Sequence, residues 1–357
     1  MKTAILGGGH GAYAAAADLA AAGHEVVLWR RDAAGLRALG TRPSIVLKDS
    51  AGTREVPVAG ATADIGAAVA GAELIVVPLP ATAQDEVALA LAPHLADGQV
   101  VFLPPGSFGS YAMAQLVRAA GNRARVAWAE TGTLPYLARK HGPREVNVSA
   151  RAVRLPTGVY PARDAVRAIE VVRRAFPSVH ACGDALSGAL MNAGPVIHTP
   201  LVVMNAAPLQ HFERWDIHAE GTQAAVRAVT DRLDRERIAV REALGYGAPH
   251  YPLADHYAND RWMYGDVHRQ LVKSGDWREH IDLHTHRYVR EDGEIGLALL
   301  ASVARWAGVD APLAEGLLAV LGAILGRDLR RGARTLEALG LATLDRVALQ
   351  RRLHDGD

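Results

Sequence analysis

Two rhythms of hydrophobic and polar residues divide the chain. In the first half, short apolar runs alternate with helical stretches: Thr3 to Leu6, a glycine turn, an alanine-rich helix over 12–22 closed by Gly23, then a strand from His24 to Trp29. Leu74 to Val77 and Gln99 to Leu103 flank a helix over 81–92 and are apolar without alternation, as in parallel strands covered on both faces. Arg125 to Thr131 supplies another strand, Ser44 to Lys48 and Arg54 to Val58 read as a hairpin, and residues 162–176 as a closing helix. Glu145 to Arg151 and Ala152 to Leu155 read as an antiparallel extension. Beyond about Asp184 the strand signal nearly stops, and helical periodicity runs over 185–205, 222–244, 296–307 and 311–325. The pattern predicts an α/β domain with a mostly parallel sheet over 1–184, followed by an all-α domain over 185–357.

The first turn sharpens the α/β reading. Gly7-Gly8-Gly9-His10-Gly11-Ala12 lies between a strand and a helix, and a second strand follows, which is the context a dinucleotide fingerprint requires. Gly7 permits the tight turn, Gly9 lets backbone approach a pyrophosphate, and Ala12 is the third small position, where helix and strand pack closely. Gly7, Gly9, His10, Gly11 and Ala12 are therefore candidate cofactor contacts in a Rossmann domain, with the phosphates on the helix N-terminus. Where NAD-binding chains carry an acid for the ribose 2′-hydroxyl, this chain has Trp29, Arg30 and Arg31. That favours NADP(H), with NAD(H) as the alternative; the competing reading is a solvated arginine pair bridged to Asp32. Pro78 to Pro80 and Gly106 to Gly109, at strand C-terminal ends, are expected to line the cleft, though Pro and Gly also end strands where nothing binds.

In the helical half, Met191 to Asn205 (MNAGPVIHTPLVVMN) reads as one apolar helix interrupted by Gly194 and Pro195. At helical spacing His198, Leu201, Val202 and Asn205 share the buried face, so an imidazole enters the core. A kinked core helix with a hydrogen-bonded histidine explains this as well as a catalytic group does. Residues 245–288 are rich in His, Tyr, Trp and Asp and read as a pocket rim or a homodimer contact. No recognised ligand motif makes a metal site of His280, His284 and His286. Arg287 is suited to gripping a carboxylate bidentately. Asp292 either orients His198 through a ring nitrogen or forms an ordinary acidic first turn.

Composition narrows the classes. The 357 residues exceed a single core, and 39 basic against 38 acidic residues give a net charge of +1, with no bias toward nucleic acid. The single cysteine, Cys182, excludes an internal disulfide framework and fits a reducing cytoplasm. No signal peptide and no uninterrupted apolar run long enough for a bilayer is read, so no membrane partner is expected. Lysine occurs only at 2, 48, 140 and 273.

Taken together, the glycine turn, Glu130-Thr131-Gly132-Thr133-Leu134-Pro135-Tyr136, Asn192 to Pro200, Asp234-Arg235-Glu236-Arg237 and His286-Arg287-Tyr288 through Glu291-Asp292 resemble the octopine/nopaline (opine) dehydrogenases, in the right order and over almost the whole chain. The resemblance implies reduction, by a nicotinamide cofactor, of the imine formed from a 2-oxo acid and an amino acid or amine. It implies His198 as catalytic acid/base, Asp292 as its carboxylate partner and Arg287 as a substrate-carboxylate ligand; Asn192 and Thr133 are read as further substrate contacts, with Asn192 ordering the nicotinamide or a water as the alternative. Two features depart from the family: the arginine-rich end of the second strand and the polar Gly293-Glu294-Ile295. Glycerol-3-phosphate and ketopantoate dehydrogenases share the architecture but present a catalytic lysine, in the former just before an asparagine, where this chain has Met191. A simple 2-oxo acid or ketone reductase and a non-enzymatic NADPH-binding regulator stay open as alternatives.

Overall fold

The computed structural model describes residues 1–268 and 277–356, so Lys273 lies outside the described residues. The chain forms two compact units, one of Met1–Ala189 joined by the chain from Arg352 onward, the other of Leu190–Arg351. The sequence reading assigned the end of the chain to the helical domain.

The first unit begins β1 (Lys2–Leu6), α1 (His10–Ala21), β2 (Glu25–Trp29), α2 (Ala33–Leu39), β3 (Ser44–Asp49), β4 (Gly52–Pro57), β5 (Gly60–Thr62), α3 (Ile65–Val69), β6 (Leu74–Val76) and α4 (Ala81–Leu91). It continues with β7 (Val100–Leu103), α5 (Gly109–Ala119), β8 (Ala127–Thr131), β9 (Tyr136–Lys140), β10 (Glu145–Arg151), β11 (Leu155–Tyr160), α6 (Ala165–Ala175), β12 (Val179–Asp184) and α7 (Ala185–Ala189). An eight-stranded sheet has the order β12-β11-β8-β7-β6-β1-β2-β5 and is parallel except where β11 meets β8. From β5 to β8 this is the doubly wound order of a dinucleotide fold, reversing direction between β1 and β6. The glycine turn and the Pro78–Pro80 loop follow the C-terminal ends of those two strands, at the switch point.

A second sheet, β4-β3-β10-β9, contains the expected hairpin, paired from Ser44↔Pro57 to Asp49↔Gly52. The expected antiparallel extension is corrected. Glu145–Arg151 belongs to this second sheet, and the next strand starts only at Leu155 and enters the main one. Burial explains the split. Val146 and Val148 are buried between more exposed neighbours, so β10 has one covered face, whereas every residue of β11 is buried. Arg151 turns the chain between the sheets, held by Asp18 of α1 at 2.6 Å and Asp49 of β3 at 2.7 Å. Those contacts also fix the second sheet on α1, where the Tyr13 hydroxyl donates to the Pro143 carbonyl at 3.0 Å.

The second unit contains α8 (Gly194–Met204), α9 (Ala206–His211), β13 (Trp215–Asp216), α10 (Ala224–Ala243), α11 (Leu253–Ala258) and β14 (Arg278–Glu279). A π-helix (Tyr288–Leu297), α12 (Ala298–Ala307), α13 (Pro312–Leu325) and α14 (Arg346–Asp355) follow, the last running past the unit boundary. It is helical as expected, apart from the short β13–β14 pairing. The single kinked helix expected over 185–205 is instead two helices broken at 190–193. Gly194 and Pro195 do not interrupt a helix; they start one, since a first-turn proline gives up no hydrogen bond. By length and composition Ala185–Met204 is apolar enough to cross a membrane, yet 72% of its most apolar window is buried within the protein, as in a core helix.

Candidate active site

The cofactor cradle is built mainly from backbone. Gly7 sits at φ +134°, and a Cβ there would meet Leu79 at 2.8 Å, so only glycine lets the Pro78–Pro80 loop close on the turn. Gly11 is tight against Leu134 and Pro78, at 3.0 and 3.4 Å from a hypothetical Cβ, and Ala12 is fully buried. Gly9, which precedes α1, has nothing within 4 Å of its Cβ position. That open place above the N-terminus of a 12-residue helix suits a pyrophosphate, so the residues present fit a dinucleotide. His10 turns toward β9, its Nδ1 accepting from the Lys140 backbone N–H at 2.8 Å.

At the end of β2, Arg30 is 9% exposed. One guanidinium nitrogen contacts the Tyr13 hydroxyl, another donates to Asp32 at 2.7 Å, and Nε is buried without a partner. Asp32 also accepts from Ala34 and Gly35 N–H at 3.0 and 2.9 Å, which caps α2. The acid nearest the second strand is thus engaged by a helix and an arginine. Arg31 turns outward to Glu86 of α4 at 2.5 Å. Thr133 lies in the loop between β8 and β9 of this unit.

In the second unit, the structure brings together two residues 94 positions apart. His198 Nδ1 lies 2.7 Å from Asp292 Oδ2, with side-chain exposures of 17% and 4%. Gly194 makes the approach possible, because a Cβ there would stand 2.1 Å from Asp292 Oδ1. Gly296 does the same for the helices, where a Cβ would meet Pro195 at 2.2 Å. These close approaches set α8 against the π-helix, a helix form that often marks functional sites. The Tyr288 ring stacks on His198 with centroids 3.7 Å apart, and its hydroxyl lies 3.1 Å from His218 Nε2.

Burial is the largest influence on both members of the pair. It holds the His198 imidazole well below its ordinary value, with repulsion from Arg287 adding to the effect. It pushes the Asp292 carboxyl up to about 7, against the pull of Arg287 and His286. Burial thus favours the uncharged form of each. With Nδ1 committed to the carboxylate, Nε2 is left to face a reactant. Arg287 keeps a half-exposed side chain, its Nε 3.6 Å from the Glu291 carboxylate.

Asn192 is 5% exposed, and its side-chain carbonyl accepts from Gly194 N–H at 2.9 Å, so it shapes the start of α8. Asn205 ties α8 to the following loop, donating to Leu201 and Gly221 carbonyls at 2.9 and 3.2 Å and accepting from Trp215 at 3.1 Å. The Asp234–Arg237 motif is architectural. Arg237 joins Asp234 at 2.7 Å and donates to the Leu190 carbonyl at 3.0 Å, at the break before α8. Glu236 accepts from Leu313 and Ala314 N–H, both at 3.0 Å, and so anchors the start of α13. Tyr288 stood in the sequence motif without a role, and His218 had no signal at all. Among the described residues no group of three His, Cys, Asp or Glu is arranged to hold a metal.

Comparison with known proteins follows the same division. Residues 181–325 match the family of NAD/NADP octopine/nopaline dehydrogenase, alpha-helical domain, and residues 2–103 match the N-terminus of NAD-dependent glycerol-3-phosphate dehydrogenase. An opine dehydrogenase of Arthrobacter sp. (strain 1C) is 28% identical over 97% of both chains. Octopine dehydrogenase in complex with NADH and agmatine shares the fold with a TM-score of 0.74 at 18% identity, over 98% of each chain. NADP+-bound yersinopine dehydrogenase shares it with a TM-score of 0.69 at 17% identity, over 99% of this chain and 98% of the other. The second unit, which carries the histidine–carboxylate pair, is the part matched by the opine family, and over nearly its whole length the chain is similar to an opine dehydrogenase, which supports an NAD(P)-dependent dehydrogenase acting on CH–NH bonds.

Proposed function

We propose that the chain catalyses NADPH-dependent reductive condensation of a 2-oxo acid with an amino acid or amine, and the reverse oxidation. The observation that carries this reading is the buried His198–Asp292 pair, held at 2.7 Å with Arg287 close enough to shift both ionisations. A reduced nicotinamide bound at the glycine cradle supplies the hydride. Arg287 grips the carboxylate of the oxo acid, which fixes the orientation of the carbonyl carbon. That bound anion offsets the repulsion between Arg287 and the imidazole, so substrate binding itself favours protonated His198. In condensation, His198 then gives its Nε2 proton to the departing hydroxyl as water leaves and the C=N bond forms. In the oxidative direction neutral Nε2 takes the proton from the secondary amine. Asp292 keeps the ring in the tautomer that leaves Nε2 available and stabilises the imidazolium. Asn192 and Thr133 are assigned to substrate, Asn192 through the turn it holds beside His198.

Support for NADPH over NADH comes from Arg30 at the end of β2, where a 2′-phosphate ligand is expected, and from Asp32 being turned to the α2 N-terminus. One structural neighbour binds NADH and another NADP+, so NADH stands as the alternative. Where glycerol-3-phosphate dehydrogenases carry a catalytic lysine just before an asparagine, this chain has buried Met191, which has no proton to give.

The deciding assay follows NADPH oxidation over a matrix of 2-oxo acids with and without amino acids and amines. Oxidation that requires both reactants supports the proposal. Full rates with the oxo acid alone convert the protein into a simple reductase.

A further inference from the structure

Lys140 ends β9, in the small second sheet, far in sequence from the fingerprint. Its backbone N–H holds His10, its ammonium nitrogen lies 4.1 Å from the Tyr13 ring centroid, and that nitrogen is 3.4 Å from the Gly8 carbonyl. Among the described residues no carboxylate pairs with it. Across the same tyrosine, Arg30 contacts the Tyr13 hydroxyl, and its guanidinium would stand 3.1 Å from a Cβ at Gly8. Two cations therefore lie against one ring beside the fingerprint, with the carboxylate of Asp32 bonded to Arg30 and one buried Arg30 nitrogen unused. Burial and the charge of Arg30 both push the Lys140 ammonium toward its neutral form. Such crowding is costly unless a doubly charged anion joins it.

We infer that Lys140 is the second cation of a 2′-phosphate site, joining Arg30 on the phosphate. The inference rests on the NADPH reading and adds a specificity residue from outside the dinucleotide fold. Because Lys140 rides on a sheet tied to α1 by Arg151, Asp18 and Asp49, its ammonium is delivered by tertiary contacts rather than by the β2 turn.

The test is fluorescence titration of the full chain with NADPH and with NADH, for wild type, Lys140→Met, Lys140→Arg and Arg30→Gln. Losing one charge-assisted contact predicts that Lys140→Met weakens NADPH about tenfold and NADH less than about twofold, with Lys140→Arg restoring most of the difference. Equal weakening of both cofactors assigns Lys140 to holding the glycine turn and overturns the inference, as does no change in either. A wild type that prefers NADPH, and keeps that preference in Lys140→Met while losing it in Arg30→Gln, removes only the role of Lys140. A wild type that binds the two equally removes the NADPH reading and Lys140 with it.

Discussion

The two units build their candidate sites in opposite ways. In the first, the groups offered are mainly main-chain: Gly7 is required by a φ of +134°, Gly9 by open space, and α1 presents its free N–H groups. In the second, they are side chains from two helices 94 residues apart, made to meet by the glycines and prolines of the helix surfaces. A backbone site depends on a few consecutive residues. A side-chain site depends on the packing of a whole unit, as the Arg237 bond to Leu190 and the Glu236 bonds to Leu313 and Ala314 show.

If that contrast is right, damage to one site leaves the other intact. The largest effect is expected from His198→Ala, which should lower kcat/KM by about a thousandfold while NADPH affinity stays nearly unchanged. Loss of cofactor binding in that variant would sink the assignment. Asp292→Asn keeps the shape but loses the charge, and a fall of about ten- to a hundredfold is expected in kcat/KM. An unaltered pH profile in that variant would remove Asp292 from the pair. In the other unit, Arg30→Asp should move the NADPH/NADH preference by about tenfold toward NADH with kcat on the favoured cofactor preserved, and an unchanged ratio refutes the 2′-phosphate role.

The smallest effect separates the units by acid. Burial lowers His256 to about 3 and His286 to about 4, and it lowers His198 as well, all in the helical unit. A folded value below the ordinary 6.5 means that the unfolded chain binds more protons, so their contribution is lost as pH falls below 6.5. Asp292, raised to about 7, acts in the opposite sense, its contribution being lost as pH rises from about 4 toward 7. His250 and His268 are lowered in the same unit and Asp231 is raised as Asp292 is, so the lowered histidines outnumber the raised carboxyls and a net loss of stability is expected as pH falls below 6.5. Thermal unfolding followed by histidine-specific NMR should show the helical unit loosening first, and a flat Tm between pH 7 and 5 would contradict it.

Much of this was readable in the residues. The fingerprint, the strand–helix alternation, the α/β-to-helical change and the pairing of His198 with Asp292 are visible as patterns or as family motifs. The misreadings share one cause. Glu145–Arg151 and Leu155–Tyr160 are consecutive apolar strands, and nothing local says that they belong to different sheets. Leu190–Ala193 looks helical by composition, yet Arg237 and Asn192 take the hydrogen bonds that open the break. Tyr288 and His218 became visible as partners only when a stacked ring and a 3.1 Å contact put them beside His198.

By itself the sequence determined where a dinucleotide belongs, because glycine turns and helix starts are set by neighbours within a few residues. It also determined that methionine, not lysine, precedes Asn192, since that depends on residue identity alone. Only the tertiary structure decided that Gly194 lets a carboxylate reach the imidazole, and that Lys140 arrives from another sheet at the ring of Tyr13 that Arg30 also contacts. Distances between remote segments follow from how whole surfaces pack, and close packing is not encoded at any single position.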